Sequence, residues 1–325
     1  MPTPPTSASA ASEEDALVPS ASALATEEIE GEVAPSDRPD LFDAAKDKLS
    51  WLERANIRFN RWTTTTPWFD RICGWCQRVP GASWVHLGSR HIRYVKGAER
   101  LPDFDSLGSF VLVSNHRSYF DLFVIAMLMF RMGLRRRILF PVRSNFFYDH
   151  PLGFVVNGIM SFWSMYPPVF RDRKRSSLNR TGLNEIAWTL KNTRAAVGLH
   201  PEGRRNQGDD PYALLKAQAG LGHAVLETGA TVIPVFINGL GNSFKGQLKR
   251  NASRKGEPII VVFGAPVDFG DLLDGSSDYK RQREVAQCAL DCVSALGEEE
   301  RALRARIEAG DIPDDVQAPA HLRRG

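Results

Sequence analysis

Cysteine is scarce in this chain, with four residues in 325, set as the close pairs Cys73/Cys76 and Cys288/Cys292. Both pairs fall in segments of helical patterning and stand more than 200 residues apart. They supply neither a disulfide framework nor a four-ligand zinc site, and core or surface packing is their expected use. Long apolar runs are missing as well: nothing approaches the roughly 18 uninterrupted apolar residues of a membrane-crossing helix. Leu122–Phe130 is far too short, and 146–170 is broken by Asp149, His150, Asn157 and three prolines. A basic, apolar-cored secretory leader is also lacking, so a reducing cytoplasmic setting is expected, on a membrane surface and not through it. No G-x-S-x-G elbow occurs, since Gly241-Asn-Ser-Phe-Lys-Gly246 has the wrong spacing, which argues against a serine hydrolase. Gly239-Leu-Gly241 follows a strand pattern but meets Phe244 in the third glycine slot, which removes a dinucleotide fold, and no P-loop is present. His116, His150, His200 and His223 lack the paired spacing of metal ligands on one helix, so no metal is expected.

Charge is unevenly placed. The net of +3 for the whole chain combines 11 acids and 3 bases in residues 1–50, a net of −8, with +11 over the remainder. A basic body without nucleic-acid-binding signatures suits an anionic membrane surface or phosphate-bearing small molecules. Residues 1–40 hold no aromatic residue and no periodicity and are expected to be a disordered acidic tail. An amphipathic helix is expected from about Leu41, followed by an aromatic and basic stretch, Trp51 to Arg78, that fits a membrane interface, a hairpin packed on the next domain, or both. This region, 41–90, precedes a domain over 91–310 and a loose C-terminal tail, 311–325.

From His91 onward, strand and helix patterns alternate. Strands are predicted over His91–Val95, Ser109–Ser114, Arg137–Val142, Ala195–Leu199, Thr231–Ile237 and Pro258–Phe263. Helices are predicted over Tyr119–Met132, Ser177–Asn192, Tyr212–Thr228, Ser277–Leu296 and Glu298–Ala309. This is an α/β pattern, a mixed and mostly parallel sheet flanked by helices. Open sheets of this kind hold ligands beyond the carboxyl ends of their strands. Two strand ends carry chemistry. In Val-Leu-Val-Ser-Asn-His-Arg-Ser-Tyr-Phe-Asp, residues 111–121, His116 stands at a strand mouth and Asp121 in the first turn of the next helix. A carboxylate on one ring nitrogen fixes the tautomer and frees the other nitrogen to take a proton from a hydroxyl. The second end is His200-Pro-Glu-Gly-Arg-Arg205, a fixed turn with a glutamate and two arginines suited to an anion.

These blocks resemble those of the glycerolipid acyltransferase family, best known for its 1-acylglycerol-3-phosphate O-acyltransferases. His116 to Asp121 matches the family's HxxxxD, and residues 200–205 resemble its FPEGTR block. Val169-Phe-Arg-Asp-Arg173 is similar to F-I-x-R, and Val232-Ile-Pro-Val235 to V-P-V. The resemblance implies His116 as general base and Asp121 as its orienter, acting on an acyl thioester without a metal, a covalent intermediate or a tightly held cofactor. Acyl-CoA or acyl carrier protein is then a co-substrate. Glu202, Gly203 and Arg205 hold the acceptor's phosphate or shape its turn. Arg173, with Arg171 as its rival in register, adds a second positive charge, and Pro234 shapes the acyl wall. Asn115 and Arg204 complete the candidate substrate contacts. The departures are His200 in the phenylalanine slot and Arg204 in the threonine slot. The function implied is transfer of a fatty acyl group to a lysophospholipid hydroxyl at the cytoplasmic face of a membrane. Alternatives are glycerol-3-phosphate or a lyso-amino-lipid as acceptor, or a non-catalytic lipid-binding protein.

Overall fold

A computed structural model describes Pro39, Leu41 and residues 47–322. Expectations for the acidic tail and for most of the helix from Leu41 lie outside these residues. A fresh helix starts just after Leu49. Ser50 accepts from Glu53 N–H and Glu53 returns the bond to Ser50 N–H, a reciprocal cap that opens helix α1, Trp51–Thr65. Pro67 then starts α2, Pro67–Cys76, and after a π-helical segment, Gln77–Gly81, comes α3, Ala82–Ser89. The inner faces of α1 and α2 are tied down by buried Asn56, Asn60, Ile57 and Cys73, while Trp51, Trp62, Trp68, Ile72 and Trp75 stay exposed.

Six strands form the main sheet: β1 Arg93–Lys96, β2 Phe110–Ser114, β3 Ile138–Leu139, β6 Ala196–Leu199, β7 Thr231–Asn238 and β8 Ile259–Phe263. Their order is β1-β8-β7-β2-β6-β3, all neighbours parallel except β7 and β8. Two further strands, β4 Val142–Arg143 and β5 Pro168–Val169, pair apart from it. The predicted strand 137–142 therefore splits in two. The break falls at Phe140 and Pro141: Phe140 N–H goes to the Ser164 carbonyl, and Pro141 has no N–H for a ladder. Just before them, the buried Arg137 guanidinium donates to Thr63, Ser164, Trp163 and Asp70 and holds the N-terminal hairpin.

Alternate residues of each strand feed two cores, as a sheet buried on both faces requires. Phe110 and Leu112 join Ile233, Val235 and Ile237 beneath α3 and α4, Asp121–Arg131. Val111 and Val113 join Val232 and Phe236 beneath α6 Leu178–Asn192, α7 Gly220–Thr228 and the C-terminal helix. Between α4 and α6 lies α5, Pro151–Ser161, with Leu152, Val155 and Ile159 exposed. After β7 comes α8, Phe244–Ser253.

Three expectations are corrected here. The helix predicted over 212–228 begins only at Gly220, because the backbone of 213–218 closes the site turn: Leu215 N–H goes to Glu202, Ala213 carbonyl takes Asn206, and Gln218 N–H reaches Pro201 carbonyl. The two predicted C-terminal helices are one, α9, Tyr279–Glu308. Gly297 does not break it but lets it approach the sheet, since a Cβ there would lie 2.9 Å from Phe236. The C-terminal tail is not loose over its described length: Val316 is buried, and Gln317 exchanges backbone hydrogen bonds with Val95. No described helix is long and apolar enough to cross a membrane.

Candidate active site

The site is built where β2 and β6 end side by side. The register that sets Val113 against Leu199 brings Ser114 and His200 out at one level, and the chain beyond β2 folds back over the chain beyond β6. Asn115 is the pivot. Its amide donates to the Ile237 carbonyl at 2.8 Å and accepts from Ile237 N–H at 2.9 Å. The expectation that Asn115 touches substrate is corrected: it has no exposed surface, and it stitches the strand end to β7.

His116 is restrained on three sides. Its backbone N–H donates to Glu202 at 2.8 Å, and the second Glu202 oxygen accepts Leu215 N–H at 2.8 Å. Glu202 is thus a buried brace for the turn, with both oxygens engaged. At the ring edge, Nδ1 lies 3.2 Å from Asp121 Oδ2, and the same oxygen accepts the backbone N–H groups of Arg117 and Ser118 at 2.8 Å each. That is how a five-residue spacing closes: the turn wraps its own N–H groups round the carboxylate that starts α4. At the ring face, His200 is stacked with centroids 3.8 Å apart and planes 4° from parallel. With Nδ1–H assigned as the donor to an ionised carboxylate, His116 Nε2 carries the lone pair.

Electrostatics favour the same state. Burial lowers His116 to about 3, and the positive charges of Arg205 and Arg171 act in the same direction. Burial raises Asp121, opposed by His200 and by the N–H groups it accepts. At neutral pH the pair is a neutral imidazole over a carboxylate, the form a general base requires.

His116, Asp121 and His200 each offer a ligand atom within 4.8 Å of the others. The stacking argues against a shared ion, because in-plane lone pairs of parallel rings run side by side and do not converge, and His116 Nδ1 already faces Asp121.

The anion side of the site is less even. Arg205 lies across the Tyr119 ring, 3.9 Å from its centroid, and donates to the Tyr119 hydroxyl at 2.9 Å. Arg171, following buried Phe170, acts on His116 by its charge. Arg173 does not have that influence; its carbonyl accepts the Ser176 hydroxyl. Of the two, Arg171 is the one whose charge acts on the base. Arg204 is exposed, and Gly203 holds the turn at φ +68°, where a Cβ would meet Gln218 at 2.9 Å. Pro234 departs from its expected place. It is buried mid-strand beside Gly264 and Leu296, on the face beneath α9, and so walls that core.

Three residues were missed as site members. Arg117 clamps the facing turn through the carbonyls of Asn206 and Gly208, at 3.1 and 2.6 Å. Tyr119 carries Arg205, and His200 covers the base. Only His200 left a sequence signal, as a departure in a motif; the other two depend on contacts across more than 80 residues.

Residues 92–238 match the family model described as Acyltransferase. No curated protein matches the chain. Among solved structures, the 1-acyl-sn-glycerophosphate (LPA) acyltransferase PlsC from Thermotoga maritima is similar at 19% identity with a TM-score of 0.44, over 77% of this chain and 95% of its own. Both strand-end turns lie inside the matched span, and residues 92–238 form an acyltransferase domain.

Proposed function

We propose that the protein transfers a fatty acyl group from acyl-CoA or acyl carrier protein to the free hydroxyl of a lysophospholipid such as 1-acylglycerol-3-phosphate, while lying on a membrane surface. The observation that carries the reaction is the neutral His116 held by Asp121. His116 Nε2 takes the acceptor's hydroxyl proton as the oxygen bonds to the thioester carbon. The tetrahedral adduct then collapses, the carbon–sulfur bond breaks, and the proton passes from the imidazolium to the leaving thiolate. Asp121 keeps the ring oriented and balances its transient charge.

An anionic acceptor is supported by Arg205 and Arg171, whose charges both reach the base. A membrane surface is supported by the exposed tryptophans of α1 and α2 and by Ile159 on α5, which is 67% exposed.

The test is thiol release from palmitoyl-CoA, with and without lysophosphatidic acid, in liposomes. Acceptor-dependent release is expected in the wild type and none in His116→Ala, with the melting midpoint within a few degrees of wild type. A folded His116→Ala protein that retains full activity would remove the mechanism. Release independent of acceptor would remove the transferase reading.

A further inference from the structure

The restraint on the open face of His116 belongs to this chain and not to the motif it resembles. His200 meets that face almost in parallel, and its own ring is tied down. Nδ1 lies 3.1 Å from the Ser114 carbonyl and 3.1 Å from the Ser114 hydroxyl. A carbonyl only accepts, so Nδ1 carries the proton and the hydroxyl oxygen shares it. Ser114 is the last residue of β2, two positions before His116. His200 is thereby fastened to the strand that delivers the base and lies flat against the base itself.

We propose that His200 is a positioning residue for acyl transfer, a second imidazole that blocks rotation of the His116 ring and keeps water from its face. The proposal rests on His116 being the general base. Three features support it. The Asp121 contact fixes one edge of His116 but leaves the ring free to swing about that bond unless a face is held. His200 holds that face, being half-buried and stacked on it at a centroid distance of 3.8 Å. Burial keeps His200 itself neutral, so it adds no positive charge beside Arg205 and Arg171. A phenylalanine in this slot covers the face but lacks the Ser114 tether.

The experiment compares wild type, His200→Ala, His200→Phe and His116→Ala by acyl-transfer kinetics, thermal melting and NMR titration of the His116 ring, its signal assigned by loss in His116→Ala. His200→Ala is expected to lower kcat by roughly tenfold to a hundredfold, the range for a misplaced reacting group, with acceptor KM changed less than about twofold. His200→Phe should recover most of that loss. In His200→Ala the His116 titration should move up toward 6.5, its ordinary value, because water reaches the opened face. A purely structural His200 would lower the melting midpoint and leave the His116 titration in place. Unchanged kcat in His200→Ala, or an unmoved His116 titration, overturns the proposal. An inactive wild type, or an active His116→Ala, defeats the acyl-transfer reading instead, and the titration still decides whether His200 governs the ring.

Discussion

Arg205 and Tyr119 form one unit at the mouth of the site. A guanidinium lying on an aromatic face and hydrogen-bonded to its hydroxyl keeps few rotamers, so its fork is already aimed when an anion arrives. Such an interaction is made equally in ground and transition states, so its loss falls on binding. Arg205→Ala is accordingly expected to raise acceptor KM by tenfold or more, corresponding to roughly 1.4 kcal/mol or more of binding, while kcat falls less. Initial rates against lysophosphatidic acid concentration check it, and an unchanged acceptor dependence takes Arg205 off the acceptor's phosphate. The same unit shows what sequence reasoning can reach at this scale. His116 and Asp121 were legible because their contact is local, closed by one turn. Glu202 and Arg205 were legible as neighbours in a motif, but their division of labour was not. Glu202 braces backbone because Leu215 and His116 happen to converge on it from two segments, and no spacing records that.

At the scale of elements, the strands were legible where apolar runs fill both faces of the sheet, and their predicted limits fall within a few residues of β1, β2, β6, β7 and β8. Prediction lapsed where tertiary contacts claimed the backbone, as at 212–219, or where a glycine was met out of context. Gly297 has the look of a helix end, yet in place it faces the Phe236 ring of β7 with no room for a side chain. Gly297→Ala is expected to cost about 1–3 kcal/mol, the usual penalty for overpacking a filled core, because its methyl group would sit 2.9 Å from the Phe236 ring. Urea unfolding of the two proteins measures this, and an equal or higher midpoint for the alanine variant would contradict the packing argument. The N-terminal helices invite a second prediction. Trp62, Trp68 and Trp75 are exposed on a hairpin whose inner side is already buried. Replacing all three by alanine should weaken sedimentation with anionic liposomes by about two orders of magnitude, taking roughly 1 kcal/mol for each partly buried ring. Unaltered sedimentation would favour a hairpin that serves only to pack on the domain.

Taken whole, the molecule stores several histidines in their neutral form. Burial lowers His86 to about 4, with Arg93 and Arg131 adding to it, and lowers His116 and His200 to about 3. His223 is lowered too, chiefly by burial. In the unfolded chain each titrates near 6.5. Below that value the unfolded state binds protons that the folded state refuses, so their contribution is complete above 6.5 and declines steadily as pH falls toward the folded values. Asp121 and Glu202 act in the opposite sense, since burial raises them and folding then gains stability as they protonate. Asp172, Asp278, Glu299 and Asp311 are lowered by hydrogen bonds to neighbouring N–H groups and arginines, and side with the histidines at more acid pH. Five histidines, His91 among them, therefore oppose two carboxylates across the range just below 6.5, and the histidines prevail. The melting midpoint is expected to be level between pH 8 and 7 and to fall progressively from about 6.5 to 5. Calorimetric scans across that range decide the matter. A midpoint that holds or rises on acidification would show that Asp121 and Glu202 outweigh the histidines, and that the base pair at the active site is protonated in the folded protein well before the chain unfolds.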